Sequence, residues 1–107
     1  VARWTTAHPK GLMRAIKEAM QHKGFSFIDV ISQCPTQAGR YVYGTGNPAD
    51  LLRMIKKNAV TKTKAEKMSP EELIGKTIVG RLHEAHDQPE LTERIYSMMS
   101  PQYAERR

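Results

Sequence analysis

GFSFIDVISQCPTQAGR, residues 24–40, changes character twice in seventeen positions. Phe25 to Ile31 is mostly apolar, Ser32 to Thr36 is polar with a proline, and Gly39-Arg40 closes the stretch. The apolar part places Phe27 and Ile31 on one alternating face and Ile28 and Val30 on the other. A strand that is apolar on both faces is what a parallel sheet covered on both sides requires. The reading is therefore a buried strand over 25–32 that leads into a loop. That loop carries Cys34, the single cysteine of the chain.

The strand needs a preceding helix, and PKGLMRAIKEAMQHK, residues 9–23, provides one. Leu12, Ile16, Ala19 and Met20 recur at helical spacing with Met13 beside them. Pro9 suits the first turn, and Gly24 suits the left-handed position that ends a helix, with Phe25 placed to touch Met20. His22 in the last turn would compensate the helix dipole. Helix, glycine and short buried strand form half of a doubly wound unit. In such sheets ligands bind beyond the carboxyl ends of the strands, and Cys34 falls at that position. A small buried thiol packed at a sheet edge is the alternative that composition alone leaves open.

Downstream, GTGNP (residues 44–48) contains a Gly-x-Gly but neither the third glycine of a dinucleotide fold nor a P-loop lysine. It reads as a loop before a helix, with Asn47 as cap, Pro48 opening, and Leu51, Leu52, Ile55 and Ala59 forming one face. Residues 61–68, TKTKAEKM, read as an exposed connection. Ser69 and Glu72 form a capping box, which Gly75 stops after one or two turns. KTIVGRLHEA (residues 76–85) alternates Ile78 and Leu82 against a wetter face of Thr77, Val79 and Arg81. A last helix starts near Pro89, carries Leu91, Ile95, Met98 and Met99, and stops before Pro101.

The 107 residues hold 17 Lys plus Arg against 11 Asp plus Glu, a net charge of +6. A basic chain invites a nucleic-acid partner. The cations are interleaved with Glu18 and Glu66, however, and no run alternates aromatic and basic residues as base stacking would need. No apolar run approaches the ~20 residues that cross a bilayer, so the expectation is a cytoplasmic protein with neither membrane nor nucleic-acid contact. The start VARW, without Met, suggests a piece of a longer polypeptide.

Complete active sites are absent from these motifs. HEAHD (residues 83–87) has histidines at i, i+3 where zinc proteases need i, i+4. Neither His8 nor His22 pairs with a placed nucleophile. No Gly-x-Ser-x-Gly elbow occurs, and Asp29 suits a hydrogen bond near a sheet edge. Cys34-Pro35 is the most pointed feature, because proline often follows a cysteine that ligates an iron–sulfur cluster. The ring removes a competing N–H and stiffens the loop, while the amides of Thr36 and Gln37 can still aim at sulfur.

The run from Val1 to Arg40 resembles the carboxyl-terminal part of the beta subunit of 2-oxoacid:ferredoxin oxidoreductases, closest to the 2-oxoglutarate members. Val1-Ala2-Arg3, His8-Pro9, His22-Lys23-Gly24-Phe25 and Ser32-Gln33-Cys34-Pro35-Thr36 carry the resemblance, which is strong to about residue 44 and looser beyond. The resemblance implies an α/β fold: residues 1–44 end a doubly wound thiamine-diphosphate-binding domain, and residues 45–107 form an α+β extension of helices with one strand. It implies an enzyme that oxidatively decarboxylates a 2-oxoacid to an acyl-coenzyme A and passes electrons to ferredoxin, together with an alpha subunit. Thiamine diphosphate with magnesium and a 4Fe-4S cluster are its cofactors. The family draws three cluster cysteines from the amino-terminal part, which makes Cys34 the fourth ligand. The family's Gly-Asp-Gly and Asn segment has no counterpart here, so no thiamine or magnesium residue is named. This piece alone is expected to be inert, to bind no cofactor and, having lost neighbouring strands, to associate with itself. The competing reading is an independent small basic α/β binding or assembly module.

Overall fold

A computed structural model describes residues 1–99. Strand β1 (Ala2–Thr5) is followed by helix α1 (Pro9–Gln21) and strand β2 (Ile28–Ile31). β1 and β2 pair in parallel with Ala2 opposite Ile28 and Thr5 opposite Ile31. α1 and β2 are the half-unit of a doubly wound sheet expected from the sequence, and β1 adds its parallel partner strand. Further along come α2 (Pro48–Asn58), β3 (Ala59–Thr61), the short α3 (Lys62–Ala65), β4 (Thr77–Arg81) and α4 (Leu91–Met99). One mixed sheet in the order β2-β1-β4-β3 unites them. β4 runs antiparallel to β1 and parallel to β3. The class is α/β, and the sheet crosses from residues before position 44 to residues after it.

Local signals act where they stand in the sequence. Pro9 occupies the first turn of α1, and Gly24 takes φ +96 just past its end. His22 lies one place beyond the last turn, as the cap. Asn47 caps α2 by accepting the Ala49 amide at 3.0 Å. Ser69 and Glu72 exchange side-chain and backbone bonds at 2.9 and 3.3 Å, although the segment they cap forms turns and no regular helix.

Burial departs from the periodicity. Ile16 and Met20 of the predicted inner stripe of α1 face outward together with Met13, Met20 by 83%, whereas Leu12 and Ala19 of that stripe are half-buried. Ala15 is the buried residue of the helix. The cause is Trp4, whose indole lies so close over α1 that a Cβ at Gly11 would stand 2.4 Å from it. Only a face of small residues, Gly11, Ala15 and Ala19, can approach that ring.

The strand expected over 25–32 is correspondingly short and not covered on both sides. Phe25 is 85% exposed, Phe27 and Val30 are exposed as well, and β2 is the last strand on its side of the sheet among the described residues. Residues 61–68 are not a simple exposed connection, since β3 reaches Thr61 and α3 buries Ala65. In β4 the drier face is the reverse of the expected one: Val79 is 1% exposed, because β3 pairs beside it and α3 packs on the strand. The apolar residues of α4 are exposed, and its stop before Pro101 lies outside the described residues.

Among the described residues the buried apolar core is Ala15, Leu51, Val60, Ala65 and Val79. The accessible surface is 8642 Å², against about 6,000 Å² for a compact monomer of this mass. The radius of gyration is 19.3 Å, against roughly 13 Å for a compact chain of this length. Large apolar side chains such as Met20, Phe25, Tyr41 and Ile74 stand exposed among the described residues.

Candidate metal-ligating thiol

The carboxyl ends of β1 and β2 lie side by side, which brings residues far apart in sequence to one edge. Beyond the ladder, the Thr6 amide donates to the Ile31 carbonyl at 3.0 Å. The Thr6 hydroxyl donates to Gln33 Oε1 at 2.6 Å. Cys34 follows Gln33, three residues past the last residue of β2, so it stands at the edge where open parallel sheets bind ligands.

Next to this edge Thr5 is fully buried. Its Oγ1 accepts the Ala7 amide at 3.2 Å and lies 2.8 Å from His8 Nδ1. The His8 ring lies 6.2 Å from that of Trp4. His8 is thus built into the β1–α1 corner.

Cys34 begins a π-helical turn over Pro35–Gly39, closed by the Gly39 amide donating to the Cys34 carbonyl at 2.7 Å. The glycine is required by space. A Cβ there would lie 2.6 Å from the Thr45 carbonyl oxygen, 2.8 Å from Leu51 Cδ1 and 3.0 Å from the Cys34 carbonyl oxygen. α2 therefore buttresses the turn through Leu51.

The sulfur itself is exposed. The amides of Ala38 and then Gln37, with the Thr36 hydroxyl 3.8 Å away, hold its pKa below the usual thiol value; slight desolvation opposes them. The sequence pointed to the amides of Thr36 and Gln37. In the folded turn the Ala38 amide acts most strongly and the Thr36 amide least. The thiolate is the species that binds metals, and an exposed, amide-stabilised sulfur fits one thiolate position of an iron–sulfur cluster. The buried-thiol alternative for Cys34 does not hold.

The remaining candidates are placed elsewhere. His83 and His86 are exposed beyond β4. Glu84 between them is held by Arg81 at 2.5 Å, and Arg81 also binds Glu18 at 2.7 Å. Among the described residues no three His, Cys, Asp or Glu side chains gather where they could hold a metal ion. Asp29 makes its edge contact with Arg3 Nε at 2.7 Å. An open cavity of about 650 Å³ lies between α1, the β1–β2 sheet and residues 81–94, lined by Trp4, Gly11, Phe27, Arg81 and Leu91. Cys34 is not part of its lining. No helix among the described residues is long and apolar enough to cross a membrane. Thr6, Gln33 and Gly39 carry no motif of their own; the paired strand ends reveal the first two and the closed turn after Cys34 reveals Gly39.

Over 99 residues, 92% of its length, the chain is 46% identical to 2-oxoglutarate synthase subunit KorB of Methanocaldococcus jannaschii. It is 48% identical, over the same share, to that subunit of Methanothermobacter thermautotrophicus. A shorter match of 58 residues at 45% identity joins it to the subunit of Archaeoglobus fulgidus. The chain spans about a third of the first two relatives, 36% and 34% of their lengths. No family model matches it. No solved structure matches it either.

Proposed function

We propose, from the premise that this chain belongs to the family of the 2-oxoglutarate synthase KorB subunits, that it is the segment of a 2-oxoacid:ferredoxin oxidoreductase beta subunit that brings the last cysteine to an iron–sulfur cluster. The observation that supports this most is the place of Cys34: exposed, at the carboxyl edge of a parallel strand pair, with the neighbouring Ala38 and Gln37 amides lowering the pKa of its thiol. The intact enzyme would oxidatively decarboxylate 2-oxoglutarate in the cytoplasm, join the acyl group to coenzyme A and deliver electrons to ferredoxin. When bound, thiamine diphosphate with magnesium supplies the carbanion chemistry and a 4Fe-4S cluster supplies the electron relay.

The chain's own part is local. Cys34 offers a thiolate, Pro35 withholds a competing N–H, and the Ala38 and Gln37 amides oppose the accumulated negative charge of thiolate and cluster sulfur. Residues 1–44 belong to the thiamine-diphosphate-binding domain in this reading, and residues 45–107 to an extension that braces the turn through Leu51. The exposed apolar faces of α1, β2 and α4 meet the rest of the subunit and its alpha partner, and in the isolated chain they meet other copies.

Substituting Cys34→Ser in the full-length enzyme tests the assignment. The expected result is loss of iron and an altered electron paramagnetic resonance spectrum of the reduced protein. Unchanged iron content and an unchanged spectrum would remove Cys34 from the ligand set.

A further inference from the structure

We propose that Thr6 and Gln33 are positioning residues for Cys34, a role that rests on the reading of Cys34 as a cluster ligand. Their side chains meet at 2.6 Å although 27 positions separate them in sequence. Gln33 is the residue immediately before Cys34, and Thr6 is the residue immediately after β1. Through its amide, Thr6 also extends the β1–β2 ladder onto the Ile31 carbonyl at 3.0 Å. The same residue thus holds the end of β2 through its backbone and the ligand loop through its side chain.

On the far side of Cys34, the Gly39 amide binds the Cys34 carbonyl at 2.7 Å. With Gln33 fixed before it and its own carbonyl fixed after it, Cys34 keeps its side-chain torsion as its main freedom. A thiolate held in this way needs little further ordering when it enters a coordination sphere, and removing such outer support typically weakens metal binding about 10-fold to 100-fold. The Thr6 hydroxyl and the Gln33 carboxamide are both uncharged and half-buried. They add no charge near the sulfur, so their contribution is geometric.

Thr6→Val keeps the shape and removes the donor, Thr6→Ser keeps the donor, and Gln33→Ala removes the acceptor. Each is made in the full-length holoenzyme, and iron release to a chelator is followed together with the midpoint potential of the cluster. Thr6→Val and Gln33→Ala should each release iron about tenfold faster, with a displaced midpoint. Thr6→Ser should resemble the parent, and the double variant should be no worse than either single one. Release within about twofold of the parent in both Thr6→Val and Gln33→Ala, with Cys34→Ser still altering the cluster, would overturn the positioning role alone. An unaltered cluster in Cys34→Ser would overturn the ligand assignment and this role with it. If Thr6→Val does not fold, Gln33→Ala carries the comparison by itself.

Discussion

The Gly39 amide lies 2.7 Å from the Cys34 carbonyl oxygen, and this bond closes the turn on which the thiol stands. Its geometry leaves no room for a side chain at position 39, where α2 and the Thr45 carbonyl close the other sides. Gly39→Ala should therefore destabilise the intact subunit by about 1–3 kcal/mol, the usual range for overpacking. Chemical unfolding checks this, and an unchanged midpoint would show that the turn yields at no cost.

Cys34→Ser should behave in the opposite manner in the cofactor-free protein. The sulfur is exposed and fills no packed space, so the change in stability should stay within about 0.5 kcal/mol. A loss above about 2 kcal/mol would signal a thiol that holds the fold together.

Glu84 supplies a pH test. The hydrogen bond from Arg81 holds its carboxyl below the usual carboxylate range, with slight desolvation opposing and the charges of Arg81, His86 and His22 assisting. A depressed folded pKa means that the stabilisation is present above the unfolded pKa and disappears as pH falls through the folded one. A nuclear magnetic resonance titration should find the Glu84 midpoint below that of free glutamate, and Arg81→Ala should move it upward. Equal midpoints in the two proteins would show that the pair is open in solution.

The apolar outer face of α1 predicts association. Met13, Ile16 and Met20 are exposed on the helix, Phe27 and Val30 are exposed at and just before β2, and β2 has no outer partner strand among the described residues. Unpaired strand edges and exposed apolar patches both favour contact with other copies. Sedimentation of residues 1–107 should show species larger than a monomer, and Ile16→Ser with Met20→Ser should shift the distribution toward monomer. A monodisperse parent chain would contradict this.

What the sequence by itself determined is what neighbours along the chain decide. Pro9 and Gly24 around α1, Asn47 at α2 and the Ser69–Glu72 box act across a few residues, so their types and order suffice. The succession of α1 and β2 and the position of Cys34 beyond that strand were legible for the same reason. Only the tertiary structure decided which face of α1 is buried, because the Trp4 indole admits Gly11 and Ala15 and turns Ile16 and Met20 outward. It also made β3 out of a segment without periodicity, by pairing it with β4 and thereby drying Val79. Thr6 meeting Gln33, and Leu51 closing over Gly39, depend on the distance between chain segments in space, and residue types read in order do not carry that information.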